Sequence, residues 1–143
     1  MLNAFVLFEL GVHRGVVVML IPKISCYMNR SDHRGSFWGL VNQGSWQEVN
    51  FVATQAGEVR GGHFHKRTQE VIFLLRGKAE VELQHCQNPE QKQQFILNSG
   101  EGIEIKPYML HTLRYLEDSE QVALLDVPFD PTNPDLHTLS EIK

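Results

Sequence analysis

The chain contains little cysteine and no block of like charge. Cys26 and Cys86 are its two cysteines among 143 residues, far apart and in no CxxC pattern. This spacing argues against a disulfide scaffold and against a thiolate zinc site, and it predicts a reducing, cytoplasmic setting. The 13 Lys and Arg residues against 17 Asp and Glu residues give a net charge of −4 without a basic patch, so nucleic acid is not an expected partner.

The sequence also lacks an apolar run long enough to cross a membrane. The most apolar stretch, residues 1–22, is interrupted by two charged residues and a histidine before it reaches the roughly 18 residues that a membrane-spanning helix requires. Its start carries no positive charge and its end has no small-residue cleavage site, so a signal peptide is not predicted. We expect residues 1–23 to form an arm, with a strand over Val16 to Ile21 that packs on its own domain or on a neighbouring subunit.

No helical periodicity persists for three turns from residue 35 onward. Short β-branched and aromatic runs alternate there with Gly and Asn turn positions, which is typical of β-strands. The clearest run is Lys78 to Gln84, in which apolar and polar residues alternate and predict one buried and one wet face. The sequence therefore predicts an all-β sandwich or small barrel, the jelly roll included. The predicted strands are 36–41, 46–55, 62–66, 71–76, 78–84, 93–97, 102–105, 111–115 and 122–127.

The length of the chain allows one ordinary domain. We expect the barrel to span residues 24–128 and residues 129–143 to form an irregular, proline-containing tail. Such a tail lies over the barrel mouth or over a neighbouring subunit, or is a disordered end. A homodimer would cover the exposed strand edges and the apolar N-terminal arm.

Histidine and glutamate supply the most specific pattern. His63 and His65 stand two residues apart, so on a strand both imidazoles face the same side. Glu70 begins an apolar run, and a carboxylate that enters a barrel interior needs a partner. His111 lies on a later predicted strand. Three imidazoles and one carboxylate form a nitrogen and oxygen donor set that suits a divalent transition metal such as Mn, Fe, Ni, Co or Zn.

These residues resemble the first motif of the cupin superfamily. The pattern Gly57-x5-His63-x-His65-x4-Glu70-x6-Gly77 matches that motif at every spacing. The resemblance implies a single-domain cupin barrel, which is a double-stranded β-helix of the jelly-roll type. It also implies that the two histidines and the glutamate are metal ligands.

A second stretch resembles the other cupin motif more loosely. Gly100 or Gly102, then Pro107 and His111, correspond to its glycine, its proline and its metal-binding histidine. The spacing from Pro107 to His111 is one residue shorter than usual, and the inner glycine of the motif is lacking. By spacing, His111 is therefore the weakest match among the four predicted ligands.

Three further segments are similar to the nucleotide-sugar cupins, namely the dTDP-4-keto-sugar 3,5-epimerases and 3,4-ketoisomerases. They are DHRGSF at 32–37, QEVN at 47–50 and VRGGH at 59–63. The resemblance implies proton transfer at carbons beside a sugar ketone, with His63 at the position of the catalytic base. It places His65 at the second active-site histidine of the ketoisomerases.

Two residues are predicted to contact the substrate. Arg60 matches the arginine that precedes the base in this resemblance, where it would face phosphate or substrate. Tyr115 shares the face of His111 on its predicted strand. Each also has a structural interpretation, Arg60 as a charge at a strand end and Tyr115 as a residue of the barrel wall.

The metal and isomerase interpretations compete. The nucleotide-sugar isomerases that this chain resembles work without metal, and their acidic residue falls where this chain has Gln69, whereas Glu70 occupies the metal-ligand position. His63 cannot be both a tightly held ligand and a free base. The ligands also have structural interpretations: His63 and His65 as wetted strand residues, Glu70 as a surface carboxylate, and His111 as a core histidine. The other histidines, His13, His33, His85 and His137, receive no role.

The sequence thus predicts a sugar-modifying isomerase or epimerase that transfers a proton on a nucleotide-linked keto-sugar in surface-polysaccharide biosynthesis. Two alternatives stay open. One is a dioxygenase with Fe(II) on the four predicted ligands, and the other is a barrel that binds a small molecule without catalysis. Oxygen uptake and proton exchange into a keto-sugar distinguish the three.

Overall fold

The computed structural model describes residues 23–142, so the predicted arm lies outside the described residues apart from Lys23, which begins the first strand. The strand predicted over 16–21 lies outside them as well. The described elements, in chain order, are β1 (Lys23–Ser25), β2 (Met28–Asp32), β3 (Gly35–Gly39), β4 (Glu48–Thr54), β5 (Val59–His63), β6 (Glu70–Arg76), β7 (Lys78–His85), β8 (Asn88–Asn98), β9 (Glu101–Ile105), β10 (Met109–Tyr115), β11 (Ser119–Leu125) and a 3-10 turn (Leu139–Glu141).

The strands form two main antiparallel sheets and a hairpin. One sheet has the order β1-β9-β6-β11-β4 and the other has the order β5-β10-β7-β8, while β2 and β3, among the described strands, pair only with each other. The non-sequential order, with chain neighbours placed in different sheets, is that of the predicted jelly roll. No described helix is long and apolar enough to cross a membrane.

The hydrophobic core lies between the two main sheets. The alternation predicted for β7 is confirmed, because Ala79, Val81 and Leu83 are at most 1% exposed. Ile72 and Leu74 of β6 belong to the same cluster. Since Glu70 is two residues before Ile72, its side chain enters the barrel on the face that carries these core residues.

Several predicted strand positions need correction. The strand predicted at 62–66 runs from Val59 to His63 instead, and β1 and β2 were not predicted because they are short and polar. Strand β5 ends early because the next residue, Phe64, pairs with His137 of the C-terminal segment rather than with β10. The strand predicted at 122–127 is displaced towards the N-terminus and occupies Ser119–Leu125.

A bulge in β5 controls which of its side chains face the barrel. His63 pairs with His111, and Arg60 pairs with Leu113, with a register shift between them. Gly61 and Gly62 form this bulge with φ values of 87° and 72°. Directly paired residues of antiparallel strands share a face, so Arg60 and His63 both face inward although they are three residues apart.

Replacing Gly61 with alanine is expected to lower the free energy of unfolding by at least ~2 kcal/mol, because it combines a positive φ with a steric clash. The added Cβ would lie far inside van der Waals contact with the carbonyl oxygen of His111. The matched control is Gly57→Ala, which has the same φ of +87° but no atom of residues 23–142 within 4 Å of the new Cβ. We expect the control to cost ~1 kcal/mol in urea unfolding. Equal losses in the two variants would contradict the proposed clash.

Candidate functional site

The four predicted ligands converge at one point inside the barrel. Their ligand atoms all lie within 4.8 Å of one another. His63 is the last residue of β5 and Glu70 is the first residue of β6, so the loop between these strands carries His65. His111 comes from β10, directly opposite His63. The first motif therefore supplies three of the groups, and strand pairing brings in the fourth.

Backbone carbonyls fix the orientation of two of the imidazoles. Nδ1 of His65 lies 2.7 Å from the main-chain oxygen of Asp135, and Nδ1 of His111 lies 3.1 Å from that of Met109. A carbonyl only accepts, so each Nδ1 carries the proton and donates it. Burial lowers the pKa of His111 to about 4, which keeps this ring neutral near pH 7. Its Nε2 therefore presents a lone pair to the cluster.

Both Nε2 atoms face one carboxylate oxygen. Oε2 of Glu70 lies 3.2 Å from Nε2 of His65 and 3.5 Å from Nε2 of His111. Lone pairs held this close to a carboxylate oxygen need a proton or a cation between them. The two distances are near the roughly 3.3 Å that separates ligand atoms around a tetrahedral metal with bonds of about 2.0 Å. The donor set thus fits a divalent transition metal in both chemistry and spacing.

The cluster can also bind a proton between His65 and Glu70. Burial raises the pKa of Glu70, but the hydrogen bond with His65 and the neighbouring imidazoles outweigh it, so the net shift is downward. Burial lowers the pKa of His65, but the hydrogen bond to Glu70 and the carbonyl of Asp135 shift it upward overall. An imidazolium at His65 paired with a Glu70 carboxylate is therefore the protonated form of the site.

His63 stands slightly apart from the other three residues. Within the described chain, the ion-pair contacts of Glu70 shorter than 4 Å go to His65 and His111. The His63 ring meets the His111 ring edge to face, with 4.6 Å between centroids, and it is half-buried. Burial lowers its pKa below 6.5, and the charge of His65 adds to this effect. The imidazole of His63 is therefore neutral at pH 7.

Arg60 and Tyr115 lie outside the cluster, and Arg60 is exposed while Tyr115 is buried. Arg60 bridges the gap between β5 and β4, with its Nε 2.7 Å from Oγ1 of Thr54. Tyr115 is 1% exposed and its hydroxyl donates to Gln121. The structure thus places Arg60 at an open seam between the sheets and Tyr115 in the wall. Substrate contact by either residue stays a prediction.

Tyr108 lies in the shortened stretch between Pro107 and His111. It has a φ of 65°, a left-handed conformation that is unusual for a bulky residue. Its N–H donates to the main-chain oxygen of His65 at 2.7 Å, and its ring stacks on Phe64. This turn links the two motifs directly, and it brings His111 into the cluster despite the shortened spacing.

Sequence reasoning missed Asp135 and His137. Asp135 orients His65, and its carboxylate also accepts from the N–H of Lys66, Arg67 and Thr68. No local pattern marks these residues, because their partners lie some 70 positions away along the chain.

A cavity of the described structure lies away from this cluster. It has a volume of about 600 Å³ and is lined by Tyr27, Trp46, Gln69 and Glu104, among others. Val71, which also lines it, points away from the barrel interior, since it alternates with Glu70 and Ile72. The cavity therefore lies on the outer face of the five-stranded sheet, and the chemistry of the cluster lies on the inner face.

Comparison with known proteins gives one family and several relatives. The family model described as "Polysaccharide biosynthesis C-terminal domain" matches residues 30–137. The chain is 25% identical over 121 residues to the UDP-2-acetamido-2,6-beta-L-arabino-hexul-4-ose reductase of Pseudomonas aeruginosa. This match covers 77% of the chain but 30% of that relative, so the chain spans about a third of its length.

Solved structures share the fold. A 3,4-ketoisomerase from Helicobacter canadensis is 21% identical with a TM-score of 0.67, covering 80% of this chain and 86% of that one. The dTDP-4-dehydrorhamnose 3,5-epimerase from Sulfolobus tokodaii is 20% identical with a TM-score of 0.68, covering 78% and 73%. The capsular polysaccharide assembling protein CapF from Staphylococcus aureus is 22% identical with a TM-score of 0.60, covering 78% and 31%. These likenesses confirm the predicted cupin jelly roll.

Proposed function

The chain belongs to the polysaccharide biosynthesis C-terminal domain family, and on that premise we propose that it is a sugar-modifying isomerase or epimerase. Its substrate would be a nucleotide-linked keto-sugar, and its reaction a proton transfer at a carbon beside the ketone. The names of the relatives support this substrate class, since they include a ketoisomerase, an epimerase of a dehydro-sugar and a reductase of a UDP-linked hexul-4-ose.

The observation that carries the proposal is the position of His63. It is a neutral, half-buried imidazole beside a cluster of donors, and it makes no short contact with Glu70 among the described residues. A general base must be unprotonated at the working pH and free to reach a proton. We assign His63 that role, removing the proton beside the ketone and returning it to the sugar.

We propose that His65, Glu70 and His111 hold a divalent transition metal. The facing Nε2 lone pairs and the carboxylate oxygen support this assignment, as do the carbonyls that fix both rings. When bound, the metal would supply a Lewis acid that polarises the ketone oxygen. That His63 is a fourth ligand stays a prediction. The metal content of a His63 variant distinguishes its role as a ligand from its role as a base.

We assign Arg60 the role of binding the negatively charged groups of the substrate. Its guanidinium lies on the same inner face as His63, because of the bulge in β5, and it is exposed at the seam between β4 and β5. The hydrogen bonds to Thr54 and to the carbonyl of Ala53 hold it in place. A fixed guanidinium suits a diphosphate or an enolate oxygen.

The reaction is tested by proton exchange. The protein is incubated in D2O, without a nicotinamide cofactor, with a UDP-linked or dTDP-linked 4-keto-sugar, and deuterium at C3 and C5 is followed by NMR. We expect incorporation with at least one of these substrates, because only the carbons beside the ketone carry acidic protons. Oxygen consumption by the iron-loaded protein without exchange would replace the proposal with the dioxygenase. Absence of both reactions would leave a binding barrel.

We propose that the protein acts as a homodimer. Val49 and Phe51 of the edge strand β4 are 66% and 63% exposed, and Phe37 of the β2–β3 hairpin is 59% exposed. An exposed apolar edge strand is prone to associate with another chain, and a two-stranded hairpin that pairs with no other described strand is only marginally stable in water. We assign this face to a second copy of the chain.

The substitution Phe51→Glu is therefore expected to convert a dimer into a monomer. Light scattering after size exclusion would show the mass halved, because the charge must be desolvated at the interface. The matched control is Ile96→Glu on β8, which is 37% exposed and lies in the other sheet. A wild-type monomer, or an equal effect of the two variants, would contradict the assignment of this face.

The cysteines support the proposed cytoplasmic setting. Both Cys26 and Cys86 are free, and Cys86 is buried. Free thiols persist in a reducing compartment.

A further inference from the structure

The C-terminal segment reaches into the cluster through one main-chain atom. The carbonyl oxygen of Asp135 lies 2.7 Å from Nδ1 of His65, and this contact joins residues 70 positions apart. The ring of His65 is 4% exposed, so water cannot substitute easily for this acceptor. The contact places the proton on Nδ1 and turns Nε2 towards Glu70.

The side chain of the same residue holds the loop that connects two of the cluster residues. Its Oδ1 accepts from the N–H of Lys66 at 2.9 Å, and its Oδ2 accepts from the N–H groups of Arg67 and Thr68 at 2.8 and 2.9 Å. The Thr68 hydroxyl donates to Oδ2 as well, at 2.9 Å. This loop runs from His65 to Glu70, so Asp135 fixes the backbone between them.

The segment is in turn anchored by the residues that follow Asp135. His137 pairs with Phe64 through two main-chain hydrogen bonds of 2.9 and 3.0 Å. Nε2 of His137 lies 3.0 Å from Oδ1 of Asp135, and its Nδ1 lies 2.9 Å from Oε2 of Glu141. The carboxylate of Asp135 is 8% exposed and is surrounded by donors. Its position is therefore set by contacts that do not involve the cluster.

We propose that Asp135 is a positioning residue for the metal site, which fixes the tautomer of His65 through its carbonyl and the loop from His65 to Glu70 through its carboxylate. This inference rests on the proposed metal-binding function. Groups that orient a ligating imidazole usually change metal affinity by about 10-fold to 100-fold when they are removed. Asp135 makes both kinds of contact from one residue.

The test compares Asp135→Ala with Asp130→Ala in the full chain. Asp130 lies in the same segment, carries the same charge and is exposed, but its carboxylate accepts from Thr132 and not from the loop. Co2+ binding is titrated by its visible absorption, well below the unfolding temperature. We expect Asp135→Ala to raise the dissociation constant by about 10-fold to 100-fold. We expect Asp130→Ala to stay near the wild-type value.

The second readout needs no metal. Long-range 15N NMR of the metal-free protein, at a pH where the histidines are neutral, reports which ring nitrogen of His65 carries the proton. We expect Nδ1–H in the wild type. Alanine keeps the main-chain carbonyl of position 135, but the lost carboxylate contacts no longer hold that carbonyl against His65, so we expect a mixture of tautomers in Asp135→Ala. A role confined to stability would lower the melting temperature and leave both the tautomer and the affinity of the folded protein unchanged.

The possible outcomes separate this inference from the proposed function. Unchanged Co2+ affinity in Asp135→Ala, or a wild-type His65 protonated on Nε2, would overturn the positioning role. If the wild type binds no metal, the metal assignment fails and the tautomer alone decides the role of Asp135. If Asp135→Ala does not fold, Asp135→Asn is measured instead. Asparagine keeps one acceptor oxygen, so an intermediate loss of Co2+ affinity supports the positioning role of Asp135. An unchanged Co2+ affinity overturns it.

Discussion

Replacing His65 with alanine is expected to remove the metal from the protein. The variant loses the Nε2 that lies 3.2 Å from Glu70, and with it one of the three donors that we propose hold the metal. A site with two remaining donors holds a divalent metal far more weakly. Elemental analysis of protein purified without chelators or a metal affinity column is expected to show about one metal per wild-type chain and less than about a tenth of that in the variant.

Two further variants complete this measurement. Glu70→Gln keeps the shape of the side chain and removes its charge, so we expect weakened rather than abolished binding. His85→Ala removes a histidine outside the cluster, whose Nδ1 accepts from the N–H of Gln87, and is expected to keep its metal. Stoichiometric metal in His65→Ala would refute the assignment of the site.

Replacing His63 with asparagine is expected to slow proton exchange into the keto-sugar by ~10²-fold to 10⁴-fold, the usual contribution of a general base. The metal content is expected to stay at the wild-type level, because the other three residues hold the short contacts with one another. Slower exchange with unchanged metal content would show that His63 acts as the base and not as a metal ligand. Loss of metal together with activity would return His63 to the ligand set that the cupin motif predicts.

The pH dependence of the exchange rate provides an independent check on His63. Burial lowers the pKa of His63 below its usual 6.5, and the neighbouring His65 adds to the shift. A base works when it is unprotonated, so the rate is expected to be full above this pKa and to fall as the pH drops through it. The acid limb of the wild-type profile should therefore lie below pH 6.5. A limb above 6.5 would contradict a base whose pKa is lowered by burial.

The local parts of the site were predictable because they depend on spacing along one strand or loop. The alternation in β7 predicted its buried face, and the interval from His63 to Glu70 predicted three groups of the cluster. His111 was less certain, because the second motif is short by one residue. Tyr108 in this stretch adopts a left-handed backbone, which is unusual for a bulky residue and is not predictable from the sequence.

The path of β5 was not predictable to the same degree. Strand periodicity placed it at 62–66, whereas the bulge at Gly61 and Gly62 and the pairing of Phe64 with His137 end it at His63. The same bulge turns Arg60 inward, although strict alternation places it opposite to His63. A bulge needs a partner strand to define its register, so it is a property of the pair.

Alternation and motif spacing were enough to predict the all-β class and the donor types of the cluster, because both are properties of neighbouring residues. The folded barrel was needed to see which nitrogens face Glu70, that His63 stands apart, and that the carbonyl of Asp135 contacts His65. The reason is physical: the direction of an imidazole depends on its hydrogen-bond acceptor, and the acceptor of His65 comes from a segment 70 residues away. Such a contact exists only after the barrel has closed and the C-terminal segment has packed against it.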